Sequence, residues 1–244
     1  MVTVVVLSRY QDILDQFLES YREYGSKESI LHRKVVITES NLEVPRGWEL
    51  LRYSYNGRFN QPAIMNFMAA NTEGDVMYFS DDIEYTHPWT VAKMYCASRT
   101  FPDVGIVSPL IDGEIGMGIQ RVASSFTLVP CLCAPCLYFR RECLDVARWD
   151  ERFIGEGWED IDYCLAAGEA GWKSAVTPTV TVRHGFQGII CNATYQRKTD
   201  RMSNGLAYNQ HLFGEKWMGK LDFLGPITPD DPVQQVLCRL REAK

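Results

Sequence analysis

No stretch of this sequence is apolar for long enough to cross a membrane as a helix. The longest candidate, residues 127–139, amounts to about half a span and carries Pro130 and Pro135. Neither sign of charge dominates. Lys and Arg number 25 against 31 Asp and Glu, and the net charge of −6 disfavours broad electrostatic binding to nucleic acid, leaving room only for a local basic patch. Eight cysteines are too few to staple a small disulfide scaffold, and 244 residues can bury a core without staples. The opening Met1-Val2-Thr3-Val4-Val5-Val6-Leu7 lacks the basic start and the cleavage site of a secretion leader, and reads as a strand. These absences lead to the expectation of a soluble, cytoplasmic protein with reduced thiols. Hydrophobic residues make up 46% of the chain and charged ones 23%, ordinary globular proportions that exclude disorder and fibrous architecture.

The β-branched run at residues 2–7 has the pattern of a strand buried on both faces. Ile13, Leu14, Phe17, Leu18 and Tyr21 follow at helical spacing until Gly25, and a second apolar run comes at residues 34–38. This β-α-β order predicts a right-handed crossover in a mostly parallel sheet with helices on both sides, a three-layer α/β/α sandwich. Further strands are expected at 49–53, 75–79, 104–108 and 173–183, and one or two within 128–140. Helices are expected at 62–70, 90–99, 142–147 and 159–170. The division expected is one domain over residues 1–225, with halves at 1–110 and 111–225, then a tail at 226–244 ending in a short helix.

Three places carry chemistry. Ser80-Asp81-Asp82 ends the strand at 75–79, and adjacent carboxylates at a strand's C-terminal edge repel unless a cation or donors compensate. Either they help hold Mg²⁺ or Mn²⁺ against phosphate oxygens, or they form a solvated turn with an Asp cap. Gly155-Glu156-Gly157-Trp158 then precedes a helix whose first turn holds Glu159, Asp160 and Asp162. These acids are either dipole-favoured caps or the source of a general base, Asp160 or Glu159. Finally, the strand at 173–183 runs into a lone His184, which is either a hydrogen-bonded structural residue or an imidazole ligand suited to Mn²⁺.

Taken together and in this order, the three resemble the GT-A fold of family 2 glycosyltransferases. Residues 4–10 (Val-Val-Val-Leu-Ser-Arg-Tyr) stand where that family has its first strand and nucleotide loop, and residues 71–82 resemble the approach to its Asp-X-Asp motif. Arg148-Trp149-Asp150-Glu151-Arg152-Phe153 precedes Trp158-Glu159-Asp160-Ile161-Asp162 much as the family's Asp-Glu-x-Phe precedes its Glu-Asp-x-Asp helix. Gly171-Trp172-Lys173 and the strand to His184 complete a likeness covering residues 2–185.

The resemblance implies a metal-dependent inverting transfer from a nucleotide-diphosphate sugar, with a UDP-sugar first among donors, onto an acceptor hydroxyl. It assigns the ion, Mn²⁺ or Mg²⁺, to Asp82 and His184, and the base role to Asp160 with Glu159 in support. Trp158 would stack on a sugar or acceptor ring, or else pack in the core. Ser8, Arg9, Tyr10, Glu39 and Asp81 would meet the nucleotide. Ser80 departs from the pattern by standing where many relatives have the first Asp, and Glu39 stands in for their base-binding Asp.

Competing classes are a nucleotidyltransferase and a non-catalytic sugar- or nucleotide-binding module. The first usually has a glycine- and cation-rich loop where this chain has only Ser8-Arg9-Tyr10, and the intact carboxylate motifs argue against the second. The acceptor stays open among a glycan, a lipid-linked saccharide, a small molecule, a protein and a hydroxylated DNA base. Arg197, Lys198 and Arg201 are either a solvated face or a contact for diphosphate or an anionic acceptor. Cys131-x-Cys133-x-x-Cys136 lacks a fourth ligand for zinc and reads as buried structural thiols, while Gly113, Gly116 and Gly118 do not form a dinucleotide fingerprint.

Overall fold

The computed structural model describes residues 1–25, 28, 30–54, 59–113, 119–155, 157–185, 205–217 and 220. Glu156, Gly116, Gly118, Arg197, Lys198, Arg201 and the tail at 226–244 lie outside the described residues.

The strands are β1 (Val2–Leu7), β2 (Leu31–Thr38), β3 (Glu49–Arg52), β4 (Asp75–Ser80), β5 (Ile83–Tyr85), β6 (Val104–Asp112), β7 (Thr127–Val129), β8 (Cys136–Phe139) and β9 (Lys173–His184). The helices are α1 (Gln11–Tyr24), α2 (Gln61–Asn71), α3 (Thr90–Ser98), α4 (Ile119–Val122), α5 (Arg141–Val146), α6 (Glu159–Glu169) and α7 (Leu206–Trp217). The sheet runs in the order β3-β2-β1-β4-β8-β6-β9-β5, with β7 also paired to β9. β1 to β4, β6 and β9 share one direction, and β5, β7 and β8 oppose them.

β1 shows why the sheet is central. Val5 points into one core with Val35, Ile37, Val76 and Tyr78, which α2, α6 and α7 cover through Met65, Leu165 and Phe213. Val4 and Val6 point into the other with Val36, Met77 and Phe79, covered by α1 and α3 through Phe17 and Met94. A strand apolar on both faces is stable only when both are covered, and the three-layer sandwich follows.

The elements expected up to residue 183 are present, with the 128–140 region resolved into two strands, β7 and β8, and the strand beginning at Val104 running on to Asp112; the helix expected in the tail lies outside the described residues. Asn60 and Pro62 explain the start of α2: the Asn60 carboxamide accepts from Ala63 N at 2.9 Å, and Pro62 occupies the first turn. Three elements were not expected. β5 and α4 are very short, and α7 packs Leu212, Phe213 and Trp217 against α6 and its preceding loop.

At the N-terminal end of β4, Asp75 accepts from Tyr138 Oη at 2.6 Å and Arg141 N at 2.9 Å and pairs with Arg99. Asp75 is buried while Arg99 is one-third exposed, so the pair is worth less than a fully enclosed one. Asp75→Ala is expected to cost roughly 2–3 kcal/mol of stability, read as a lowered urea midpoint at unchanged m-value. An unchanged midpoint would show that these bonds contribute nothing net.

Candidate active site

Parallel pairing fixes where the site stands. Leu7 of β1 is in register with Ile37 of β2 and Ser80 of β4, and Thr38 pairs with Arg52 of β3, so these strands end together along one edge. Ligands of open α/β sheets bind outside such carboxyl ends. Ser8, Arg9, Glu39, Asp81 and Asp82 all follow directly from them.

Ser8 Oγ donates to Asp81 Oδ2 at 2.6 Å, tying the loop after β1 to the turn after β4. Arg9 forms an ion pair with Glu39 and lies 5.3 Å from the centre of the Phe59 ring. Thus Glu39 stands at this edge already engaged by a cation. Tyr10 closes the loop in an extended conformation as the cap of α1, its carbonyl accepting from Leu14 N at 3.0 Å.

Asp82 is buried, and β5 begins at the next residue, in antiparallel register with His184 at the end of β9. Gly185 N donates to the Asp82 carbonyl at 2.9 Å, and His184 Nε2 stands 3.5 Å from Asp82 Oδ2. A carboxylate oxygen and an imidazole nitrogen side by side suit Mn²⁺, and Mg²⁺ less well. Among the described residues no three His, Cys, Asp or Glu side chains form a complete cage, so an ion here would take further ligands from elsewhere, as expected where phosphates share the ion. Burial raises the Cys136 thiol well above its ordinary value, and Cys131 is equally enclosed, in keeping with packing roles.

Asp160 arrives from the other half of the chain. Its loop takes positive φ at Gly155 (70°), Gly157 (100°) and Trp158 (76°), an unusual conformation for a tryptophan. Gly155 N donates to Phe59 O at 2.9 Å, which seats the loop beside the Arg9–Phe59 contact. Asp160 Oδ2 accepts from Ala134 N at 3.0 Å and Oδ1 from Ile161 N at 2.8 Å. The adjoining Pro135 O accepts from Ser80 N at 2.8 Å, so Asp160 and the Asp81-Asp82 turn hang from neighbouring residues of one loop. Burial pushes the Asp160 carboxyl up to about 6, against the pull of its backbone donors.

Glu159 is buried, 5% exposed, whereas Asp160 keeps partial exposure. Trp158 is half-buried, with its ring 5.1 Å from that of Phe213 on α7. Asp162, also from the acidic turn, points into the core: Trp217 Nε1 donates to it at 2.6 Å and Lys216 pairs with it at 2.8 Å. Burial raises its carboxyl while Lys216 pulls it down. Its work is to dock α7. Asn209 of α7 and Gln120 of α4, both fully buried beside the site, carried no recognisable signal in the sequence.

No protein-family model and no curated protein matches the chain. Among solved structures it is similar to GalNAc-T7 with UDP, GalNAc and Mn²⁺, with TM-score 0.67 and 13% identity, over 99% of this chain and 54% of that one. It is also similar to the mannosyltransferase PcManGT from Pyrobaculum calidifontis in complex with GDP-Man and Mn²⁺, with TM-score 0.65 and 16% identity, over 99% of this chain and 70% of that one. The chain has the GT-A fold. It spans about half the length of the first of these structures. Among the described residues of this GT-A chain, no helix is long and apolar enough to cross a membrane.

Gly113, just past β6, has φ +133°, and a Cβ there would overlap the carbonyl oxygen of His184. Gly113→Ala is therefore expected to displace His184 from Asp82 and weaken Mn²⁺ binding about tenfold in the presence of a nucleoside diphosphate, by titration calorimetry. Undiminished binding would remove His184 from the ligand set.

Proposed function

We propose that the protein is a metal-dependent, inverting glycosyltransferase that moves a sugar from a nucleotide-diphosphate sugar, a UDP-sugar first among candidates, to an acceptor hydroxyl. The observation that carries this reading is the shared Ala134-Pro135 support of Asp160 and the Asp81-Asp82 turn at the sheet edge where nucleotides bind. Residues 1–110 would bind the donor and residues 111–225 the acceptor.

Asp82 and His184 would hold Mn²⁺ or Mg²⁺, which when bound supplies positive charge for the departing diphosphate. Arg9 with Glu39, together with Ser8, Tyr10 and Asp81, would line the nucleotide. The acceptor oxygen attacks the anomeric carbon as the bond from that carbon to the diphosphate oxygen breaks, and the acceptor proton passes to Asp160. Attack opposite the leaving group inverts the anomeric configuration. Each Asp160 oxygen accepts one backbone hydrogen bond and keeps a lone pair for that proton. With its carboxyl raised to about 6, Asp160 is a stronger base than an ordinary carboxylate yet still ionised at neutral pH. Trp158 and Glu159 would shape the acceptor side. Trp158 leans on Phe213, so stacking on a sugar would use the part of the ring left exposed.

Asp160→Asn is expected to leave donor affinity unchanged while transfer falls about 100- to 10,000-fold, read by titration with the nucleotide sugar and by release of free nucleoside diphosphate. Turnover close to wild type would remove the assigned base. For the unaltered protein, kcat/KM is expected to fall as the pH drops through about 6, because Asp160 works deprotonated and gains its proton there. An acid limb near the ordinary carboxylate value would mean that the group in turnover is not this buried one.

A further inference from the structure

Two stretches of irregular backbone meet at Asp160, outside the ladders of the sheet except for an isolated bridge between Asn60 and Gly155. Buried peptide groups need partners. At one residue of each stretch, Cys133 in the first and Ile154 in the second, the partner is the carboxamide of a fully buried side chain. On the first, Gln120 Oε1 accepts from Cys133 N at 2.8 Å while its Nε2 donates to Cys133 O at 3.0 Å and to Ser108 Oγ at 2.8 Å. The residue after Cys133 is Ala134, whose N–H donates to Asp160, and the next is Pro135, whose carbonyl takes Ser80 N.

On the second, Asn209 Oδ1 accepts from Ile154 N at 2.8 Å, and its Nδ2 donates to Ile154 O at 2.8 Å and to Gly157 O at 2.9 Å. Gly205, at the start of α7, lies so close to the Ile154 carbonyl that a Cβ would overlap it. Both amides therefore do the same thing: each takes the N–H and the C=O of a single residue, as a neighbouring strand does. Only Asn and Gln offer a donor and an acceptor side by side for this. An apolar residue would fill the space but orphan the backbone groups, and a carboxylate would accept without donating.

We infer that Gln120 and Asn209 are positioning residues of the proposed transfer reaction, each locking one of the two loops that aim the Asp160 carboxylate at the acidic turn. The inference rests on the reading of Asp160 as the base. Neither side chain touches the carboxylate; each acts through the backbone next to it. A loop displaced by about an ångström costs up to about 100-fold in rate. The Asn209 loop acts on Asp160 alone, whereas the Gln120 loop also carries the Pro135 carbonyl that holds Ser80 N at the end of β4.

The test compares full-length Gln120→Ala and Asn209→Ala with Asp75→Ala, whose lost bonds lie at the opposite end of β4. Steady-state transfer and amide hydrogen exchange by mass spectrometry are measured on all three. The lock predicts a kcat at least tenfold lower in both amide variants, with the donor KM within twofold in Asn209→Ala, and a normal kcat for Asp75→Ala despite its lower urea midpoint. It also predicts faster exchange confined to residues 132–134 in Gln120→Ala and to 154–158 in Asn209→Ala. A kcat within twofold of wild type in both amide variants, or unchanged exchange in those segments, overturns it. If the wild-type protein transfers no sugar, the functional reading falls and the exchange data alone decide the lock: faster exchange in both segments supports it, and unchanged exchange refutes it.

Discussion

Two backbone groups belonging to adjacent residues connect the two halves of the candidate site. Ala134 N–H faces the Asp160 carboxylate and the Pro135 carbonyl faces Ser80 N–H, so an acid from α6 and the acidic turn after β4 take their places from the same short loop. That loop can stand there only because β8 runs antiparallel to β4, with Cys136 opposite Phe79, and so begins where β4 ends. The single reversed strand in the middle of the sheet thus brings the second half of the chain back to the edge where the parallel strands of the first half finish.

The arrangement gathers negative charge. Asp81, Asp82 and Asp160 lie along one edge, the first two buried and the third partly exposed, and enclosed carboxylates cost free energy unless donors or cations meet them. The protein offsets this unevenly: Asp81 has a hydroxyl donor, Asp82 an imidazole neighbour, and Asp160 two backbone donors that only partly counter its burial. The other acids in these elements are used differently. Asp75 and Asp162 are buried against cations and aromatic donors at places where they hold helices to the sheet.

Much of the scaffold was legible because two-sided burial writes itself into β1, β2 and β4 as continuous apolar runs, and because Pro62 and Gly25 punctuate helices by mechanisms that act locally. The aspartates at strand and helix ends stood out for the same local reason. What stayed hidden depends on distant partners. β5 is three residues long and exists because β9 is there to pair with. Helix α7 buries its apolar residues at 212, 213 and 217 but leaves Leu206 and Tyr208 exposed, a pattern that does not mark one face without knowing that Asp162 and Trp158 await it. Gln120 and Asn209 are ordinary surface residue types whose burial follows from unpaired backbone elsewhere in the chain. Glu39 was legible as a residue at the end of β2, but its pairing with Arg9 was not.

The central claim is spatial: a divalent ion beside Asp82, on the side of the sheet edge that Asp160 faces. Anomalous diffraction at the manganese edge, from crystals soaked with Mn²⁺ and UDP, tests it most directly. The account predicts a peak between the Asp82 carboxylate and the His184 imidazole, with the diphosphate completing the coordination and Asp160 across the cleft. A peak elsewhere on the molecule, or a diphosphate bound away from the ends of β1, β2 and β4, would contradict it.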